Sequence, residues 1–257
     1  MWQLQSPNGD YLSYILGTMH VQDDRAFGLI DRSLPLLEQC TLFCAEYDLS
    51  SSNHPSDEIM IALQRVPGTF ELLGAKYYHK LKKVLKKRLG FSLDFYQHIH
   101  PMMLSALIQR QMLGEQQPVI LDATLWEHAG QMGVDRKGIE TIESQMLTML
   151  KLPIEWHLST LKGMARNFSK FRKKTEKLLN YYQNEQLVAI HRASVKMDGA
   201  AKRVLSIQRN IQMSEFMAAE ANNQPAFFAL GAAHLLGEKG VLRLLKKKGY
   251  RIRPLRP

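Results

Sequence analysis

The sequence predicts an α/β (α+β) fold, a small mixed sheet built from the two ends of the chain and covered by a large helical insertion. Two observations predict it. The first is a repeat: Tyr14-Ile15-Leu16-Gly17-Thr18-Met19-His20 and Phe227-Phe228-Ala229-Leu230-Gly231-Ala232-Ala233-His234 each read as an apolar strand, a glycine and a histidine three residues later. A helix and a second apolar run follow each copy, so the unit strand–GxxH–helix–strand occurs twice. The second is the middle of the chain, residues 57–222, where apolar residues recur at helical spacing almost throughout. A sheet that uses both ends closes all 257 residues into a single domain, 1–257.

Taken in order, residues 10–17 form the first strand and 28–39 a helix, with Pro35 in its first turn or kinking it. Thr41 to Asp48 is a second strand, apolar until it ends in acids, and Ser50 to Pro55 is a polar loop. Helices then cover 57–65, 69–89, 101–113, 121–132, 143–151, 154–182, 184–197 and 199–222. Pro67-Gly68, Gly90, Pro101, Gly114, Pro118, Gly133, Pro153 and Asp198-Gly199 separate them. Val134 to Thr141 interrupts the series as a third strand. After the second GxxH come a helix over Val241 to Lys248 and a strand over Tyr250 to Leu255.

The net charge is +10 and the isoelectric point about 9.6. The excess sits in Lys76–Arg88, Lys162–Lys177 and Arg243–Arg256. Within the first, Leu81, Val84, Leu85 and Leu89 line one helix face and lysines the other. That is ordinarily a solvated helix surface; attraction to nucleic acid or an anionic membrane surface is the less favoured reading. No apolar run approaches the roughly 18 residues of a membrane span. Residues Met1 to Gln5 lack the pattern of a signal peptide, and Cys40 and Cys44 lie too close together to bridge readily. Reduced thiols and a cytoplasmic location are therefore expected. H-E-x-x-H, G-x-S-x-G, Walker A and G-x-G-x-x-G signatures are absent, which argues against ordinary zincins, α/β-hydrolases, P-loop enzymes and Rossmann dehydrogenases.

Chemistry is expected where the strands end. Helices over a parallel sheet leave a crevice at the carboxyl ends of its strands, and glycine there permits a sharp turn or a close approach. One GxxH is more often a turn with an incidental histidine. Two in matching contexts, at Gly17/His20 and Gly231/His234, favour paired imidazoles serving as metal ligands or as an acid–base couple. Glu46 ends the second strand at the same rim, on one side with Cys44 and Asp48. Two histidines and a carboxylate suit a divalent ion with open positions. Arg209 flanks an apolar helix stripe and either snorkels or pairs with a carboxylate or anion. Asp122 begins a helix, where an N-cap is the plainer role, and Glu140 ends the third strand, with Glu143 close behind. His98, His100, His128, His157 and His191 have no ligand spacing and read as structural or surface residues.

These residues resemble, in order, the TraB/GumN/Tiki family of pheromone-shutdown proteins and Tiki-type metalloproteases. The likeness runs through Leu16-Gly17-Thr18-Met19-His20, Ala45-Glu46, Leu121-Asp122 with Ala129 to Gly133, and Gly138-Ile139-Glu140-Thr141. It continues through Arg209-Asn210, Leu230-Gly231-Ala232-Ala233-His234 and Gly249-Tyr250. The resemblance implies a metal-dependent hydrolase, of the peptidase kind, acting on a peptide or protein. It implies His20 and His234 as metal ligands, Glu46 as third ligand or general base, and Arg209 as the group that stabilises an oxyanion or anchors a substrate carboxylate. By family analogy the ion is Mn²⁺ or Co²⁺, with Zn²⁺ a further candidate. The alternative from another class is a non-enzymatic peptide-binding or sequestering protein of the pheromone-shutdown type.

Overall fold

The structure, a computed structural model, describes residues 1–50, 56–64, 67–194, 201 and 203–255. The expected loop over 51–55, the far end of the 184–197 helix and the stop at Asp198-Gly199 lie outside the described residues. Six strands form one mixed sheet: β1 (Trp2–Gln5), β2 (Leu12–Thr18), β3 (Leu42–Tyr47), β4 (Asp135–Glu140), β5 (Ala226–Gly231) and β6 (Arg251–Pro254), in the order β4-β3-β5-β2-β1-β6. The inner run β4-β3-β5-β2 is parallel, while β1 lies antiparallel to both β2 and β6. β1 is unexpected; its only signal is the four-residue alternation of Trp2 and Leu4 with two glutamines.

The two GxxH strands are neighbours. β2 and β5 pair in parallel with Gly17 opposite Leu230 and Thr18 opposite Gly231, so both histidines leave the sheet from one edge. β3 and β4 end there too, because they run the same way. Alternation sorts the strand side chains into two cores. Ile15, Cys44, Phe228 and Leu230 pack beneath Met213, Met217, Leu242 and Leu245. Tyr14, Leu16, Phe43, Ala45, Phe227 and Ala229 pack beneath Leu37, Leu121, Leu125 and Trp126, with Phe43 stacked on Phe227 at 6.0 Å. The insertion has its own core, in which Leu73, Tyr78, Leu81 and Leu85 meet Leu104, Ile108, Leu158 and Leu161.

Most helices fall where their periodicity places them; the 69–89 helix is interrupted at Gly74 (φ 73°, ψ 154°), and three further points differ. Residues 154–182 form two helices, Ile154–Arg166 and Phe168–Gln183, broken at Asn167 (φ −151°, ψ 78°). The Asn167 side chain accepts the Lys170 N–H at 2.9 Å and so caps the second helix, a local bond that the apolar pattern does not reveal. Pro35 sits inside Ile30–Leu37 rather than in its first turn. A widened π-turn, Arg203–Gln208, leads directly into the helix Arg209–Ala221. Cys40 and Cys44 are free and buried, on opposite sides of the sheet, and burial pushes the Cys40 thiol up to about 12.

Candidate active site

The carboxyl ends of the parallel strands carry His20, Glu46, Glu140 and His234. His20 follows β2, Glu46 is next to last in β3, Glu140 ends β4, and β5 runs into a 3₁₀ turn, Ala232–His234. Arg209 starts the helix that covers this edge.

Glu46 is the centre. Its side chain is only 6% exposed, and four donors fill its two oxygens. Oε2 faces His20 Nε2 at 3.3 Å and accepts the Gly231 N–H at 2.7 Å. Oε1 accepts from Arg209 Nη2 at 2.5 Å and from Gln145 Nε2 at 3.2 Å. His234 Nε2 lies 3.9 Å from Oε1. Gly231 has no room for a side chain, since a Cβ there would come within 3.0 Å of Glu46 Oε2 and 3.4 Å of His234 Cδ2. Gly17 is constrained in the same way by the other unit: a Cβ would meet Leu235 Cδ1 at 2.7 Å and Ala232 Cα at 3.2 Å. The strand-end glycines therefore let the two GxxH turns close on each other.

Each imidazole is tied from behind. His20 Nδ1 bonds Asp122 Oδ2 at 3.1 Å, and Asp122 is fixed in turn by Thr18 Oγ1, which donates to its Oδ1 at 2.7 Å. Asp122 is thus no N-cap; Ile120 occupies that position, and the buried carboxylate turns to the sheet instead. His234 Nδ1–H donates to Asn210 Oδ1 at 2.6 Å, while Asn210 Nδ2 donates to the Lys239 carbonyl at 2.8 Å. The carbonyl fixes which way the amide faces, so His234 must carry its proton on Nδ1 and present a lone pair at Nε2.

The two rings are shifted in opposite directions. Burial opposes a proton on His20, but Asp122 and then Glu46 overcome it and hold the pKa well above the usual imidazole value. Burial lowers His234; Glu46 pulls it up, and the Arg209 cation adds to the lowering. Burial also opposes the Glu46 charge, yet His20, His234 and Arg209 hold the carboxyl well below its usual range.

Arg209 does not snorkel. Its Nε donates to Glu140 at 3.1 and 3.0 Å and its Nη2 to Glu140 Oε2 at 2.5 Å, while Nη1 stands 3.4 Å from His234 Nε2. Gln145 bridges the two carboxylates, reaching Glu140 Oε2 at 3.2 Å as well. Neither Gln145 nor Tyr47, whose ring stands edge-on to His20 at 6.2 Å, carries a signal in the sequence. Asn210 and Thr18 lie inside the quoted motifs without a role. Glu143 is drawn aside to Ser56. His100 and His157 form a buried pair in the helical cover, 5.6 Å apart, away from this group.

A pocket of about 500 Å³ takes in His20, Glu46, Arg209, Gly231 and His234, walled by Leu178, Tyr182 and Ile190. A larger one of about 630 Å³ adjoins it across Met19, His20 and Leu178 but excludes Glu46, Arg209 and His234. The candidate titratable groups converge on the smaller pocket.

A family model described as the TraB/PrgY/gumN family matches residues 1–254. The chain belongs to the TraB/PrgY/gumN family. Metalloprotease TIKI2 of Danio rerio is similar to this family member, 23% identical over 321 aligned residues that cover 98% of the chain and 60% of that protein. The chain therefore spans about 60% of the length of this curated relative. No solved structure gives a significant match. No helix among the described residues is long and apolar enough to cross a membrane.

A divalent ion implied by such a relative can be tested against the donors present. Two imidazoles held through Nδ1 by a carboxylate and an amide, with Nε2 turned to a buried carboxylate, are the donor set and supporting shell that a metal uses. Their donor chemistry fits. Their present arrangement is not a finished cage: among the described residues no group of three or more His, Cys, Asp or Glu side chains stands ready to hold an ion. The guanidinium of Arg209 occupies the side of Glu46 and His234 where the ion would sit.

Proposed function

We propose that this TraB/PrgY/gumN family member is a divalent-metal-dependent hydrolase that cleaves peptide bonds in the pocket at the carboxyl edge of the sheet. The observation that carries the reading is the convergence of the two GxxH imidazoles, from adjacent parallel strands, on the buried carboxylate of Glu46. The TIKI2 relative, a metalloprotease by name, supports the reaction class. His20, His234 and Glu46 would hold the ion, of which Mn²⁺, Co²⁺ and Zn²⁺ are the candidates. When bound it polarises a carbonyl and lowers the pKa of a bound water.

The chain's own residues do the rest. Asp122 and Asn210 orient the two rings, so little reorganisation is needed at the moment of reaction. A carboxylate with four donors, held far below its usual pKa, is a poor proton acceptor near neutrality. This disfavours Glu46 as general base; as a ligand it would have to give up one of these donors. Arg209 Nη1, the one guanidinium nitrogen not engaged by a carboxylate, is placed to donate to a substrate oxygen in the pocket. Leu178, Tyr182 and Ile190 would exclude water beside it.

Metal analysis of the purified protein, followed by a peptide-library assay with and without Mn²⁺, Co²⁺ and Zn²⁺, tests the proposal. Metal-dependent cleavage is expected. Peptide binding without turnover under every metal would instead support a sequestering protein.

A further inference from the structure

The acceptor sites that a metal needs are already filled. An ionised carboxylate offers about four lone-pair positions. On Glu46 these face His20 Nε2, the Gly231 N–H, Gln145 Nε2 and Arg209 Nη2. The His234 lone pair faces Arg209 Nη1 at 3.4 Å. Any ion held by His234 and Glu46 would share those two residues with the guanidinium of Arg209, whose side chain is only 13% exposed. Arg209 has a second hold: Glu140 accepts from both its Nε and its Nη2, and Glu140 touches neither histidine.

We propose that Arg209 is a built-in cation competing for His234 and Glu46 and sets the metal affinity of the site. Holding an ion there would require the guanidinium to give up His234 and Glu46, and Glu140 would retain the arginine. The idea rests on the metal reading above but concerns a residue outside the ligand set, and it makes an inverted prediction. A residue that merely supports metal ligands weakens binding when removed, typically about 10- to 100-fold. A competing cation strengthens binding when removed.

The experiment is calorimetric titration of MnCl₂ and ZnCl₂, separately, into wild type, Arg209→Gln, Arg209→Ala and Glu140→Gln, with thermal unfolding to verify the fold. Both Arg209 variants should bind about tenfold tighter or better, the scale on which one neighbouring charge shifts an ionic equilibrium. Glu140→Gln should bind several-fold weaker, because the guanidinium then has only Glu46 to hold. Unchanged or weaker binding by folded Arg209 variants overturns the gate and leaves the metal centre standing. No binding by any protein, wild type included, overturns both. If neither Arg209 variant folds, Glu140→Gln decides alone: weakened binding supports the gate, and unchanged binding overturns it.

Discussion

At the scale of single residues, the site is defined less by the histidines than by what each is tied to. The GxxH units are alike in sequence, but one ring leans on Asp122 and the other on Asn210; Asp122 and Glu46 outweigh burial and raise the first ring's pKa, while burial lowers the second's. Under the proposed function, His20→Ala and His234→Ala should each abolish most divalent-ion binding while the protein stays folded, as read by calorimetry and circular dichroism. Asp122→Asn and Asn210→Ala should each weaken binding about 10- to 100-fold, since they free the ring from its support. The pH dependence follows from His20. Its proton is bound more tightly in the folded protein than in the open chain, so it stabilises the apo fold below about pH 6.5, and that contribution is lost as pH rises through the raised folded value. A metal must expel the same proton. Affinity is therefore expected to keep rising with pH above 6.5 instead of levelling off there, and titrations in two buffers of different ionisation enthalpy should register the proton released. An affinity already flat from pH 6.5 upward would remove the His20 proton from the account.

At the scale of elements, the close approach of two turns makes the rim. Gly17 ends β2 where the Ala232–His234 turn packs against it, and Tyr182 donates to the Gly17 carbonyl at 2.9 Å from the far side. Gly17→Ala should act as an overpacking change of roughly 1–3 kcal/mol, lowering Tm by several degrees in a chain of this size. A Tm within a degree of wild type would mean that Leu235 gives way without cost. The Asn167 break belongs to the same scale. Asn167→Ala should cost about 1 kcal/mol through the lost cap, read as a shift in urea midpoint at unchanged slope.

At the scale of the whole molecule, the sheet joins residues from the first five and the last five of those described, where β1 pairs with β6, and β2 pairs with β5. The insertion, by contrast, carries a core distinct from the two sheet cores. We propose that the sheet with its flanking helices is one cooperative unit and that the helical cover can lose structure in a step of its own. Trp2 reports on the sheet, Trp126 on its flank and Trp156 on the cover. In single-tryptophan variants, Trp2 and Trp126 should share one urea transition, with Trp156 melting at lower urea. Coincidence of all three would establish a single domain in the strict sense.

Much of this was legible in the residues themselves. Two matching GxxH units, the acid at the end of β3 and the helical periodicity from 57 onward determine the sheet, the rim and four of the groups that meet there, because strand alternation and helix period are local properties of the chain. What the local pattern does not carry is which polar atom bonds which. Asp122 reads as a helix cap and Arg209 as a stripe-flanking cation until the fold brings Thr18, His20, Glu46 and Glu140 beside them from segments 69 to 163 residues away. Gln145 gave no sign and Asn210 stood in a quoted motif without a role, since an amide becomes a positioning group only through the partners on either side of it. The tertiary structure alone decided that Arg209 lies between Glu46 and His234. A buried carboxylate must be satisfied by the nearest cation that packing allows, and that choice depends on the approach of the covering helix to the sheet, which no stretch of sequence contains.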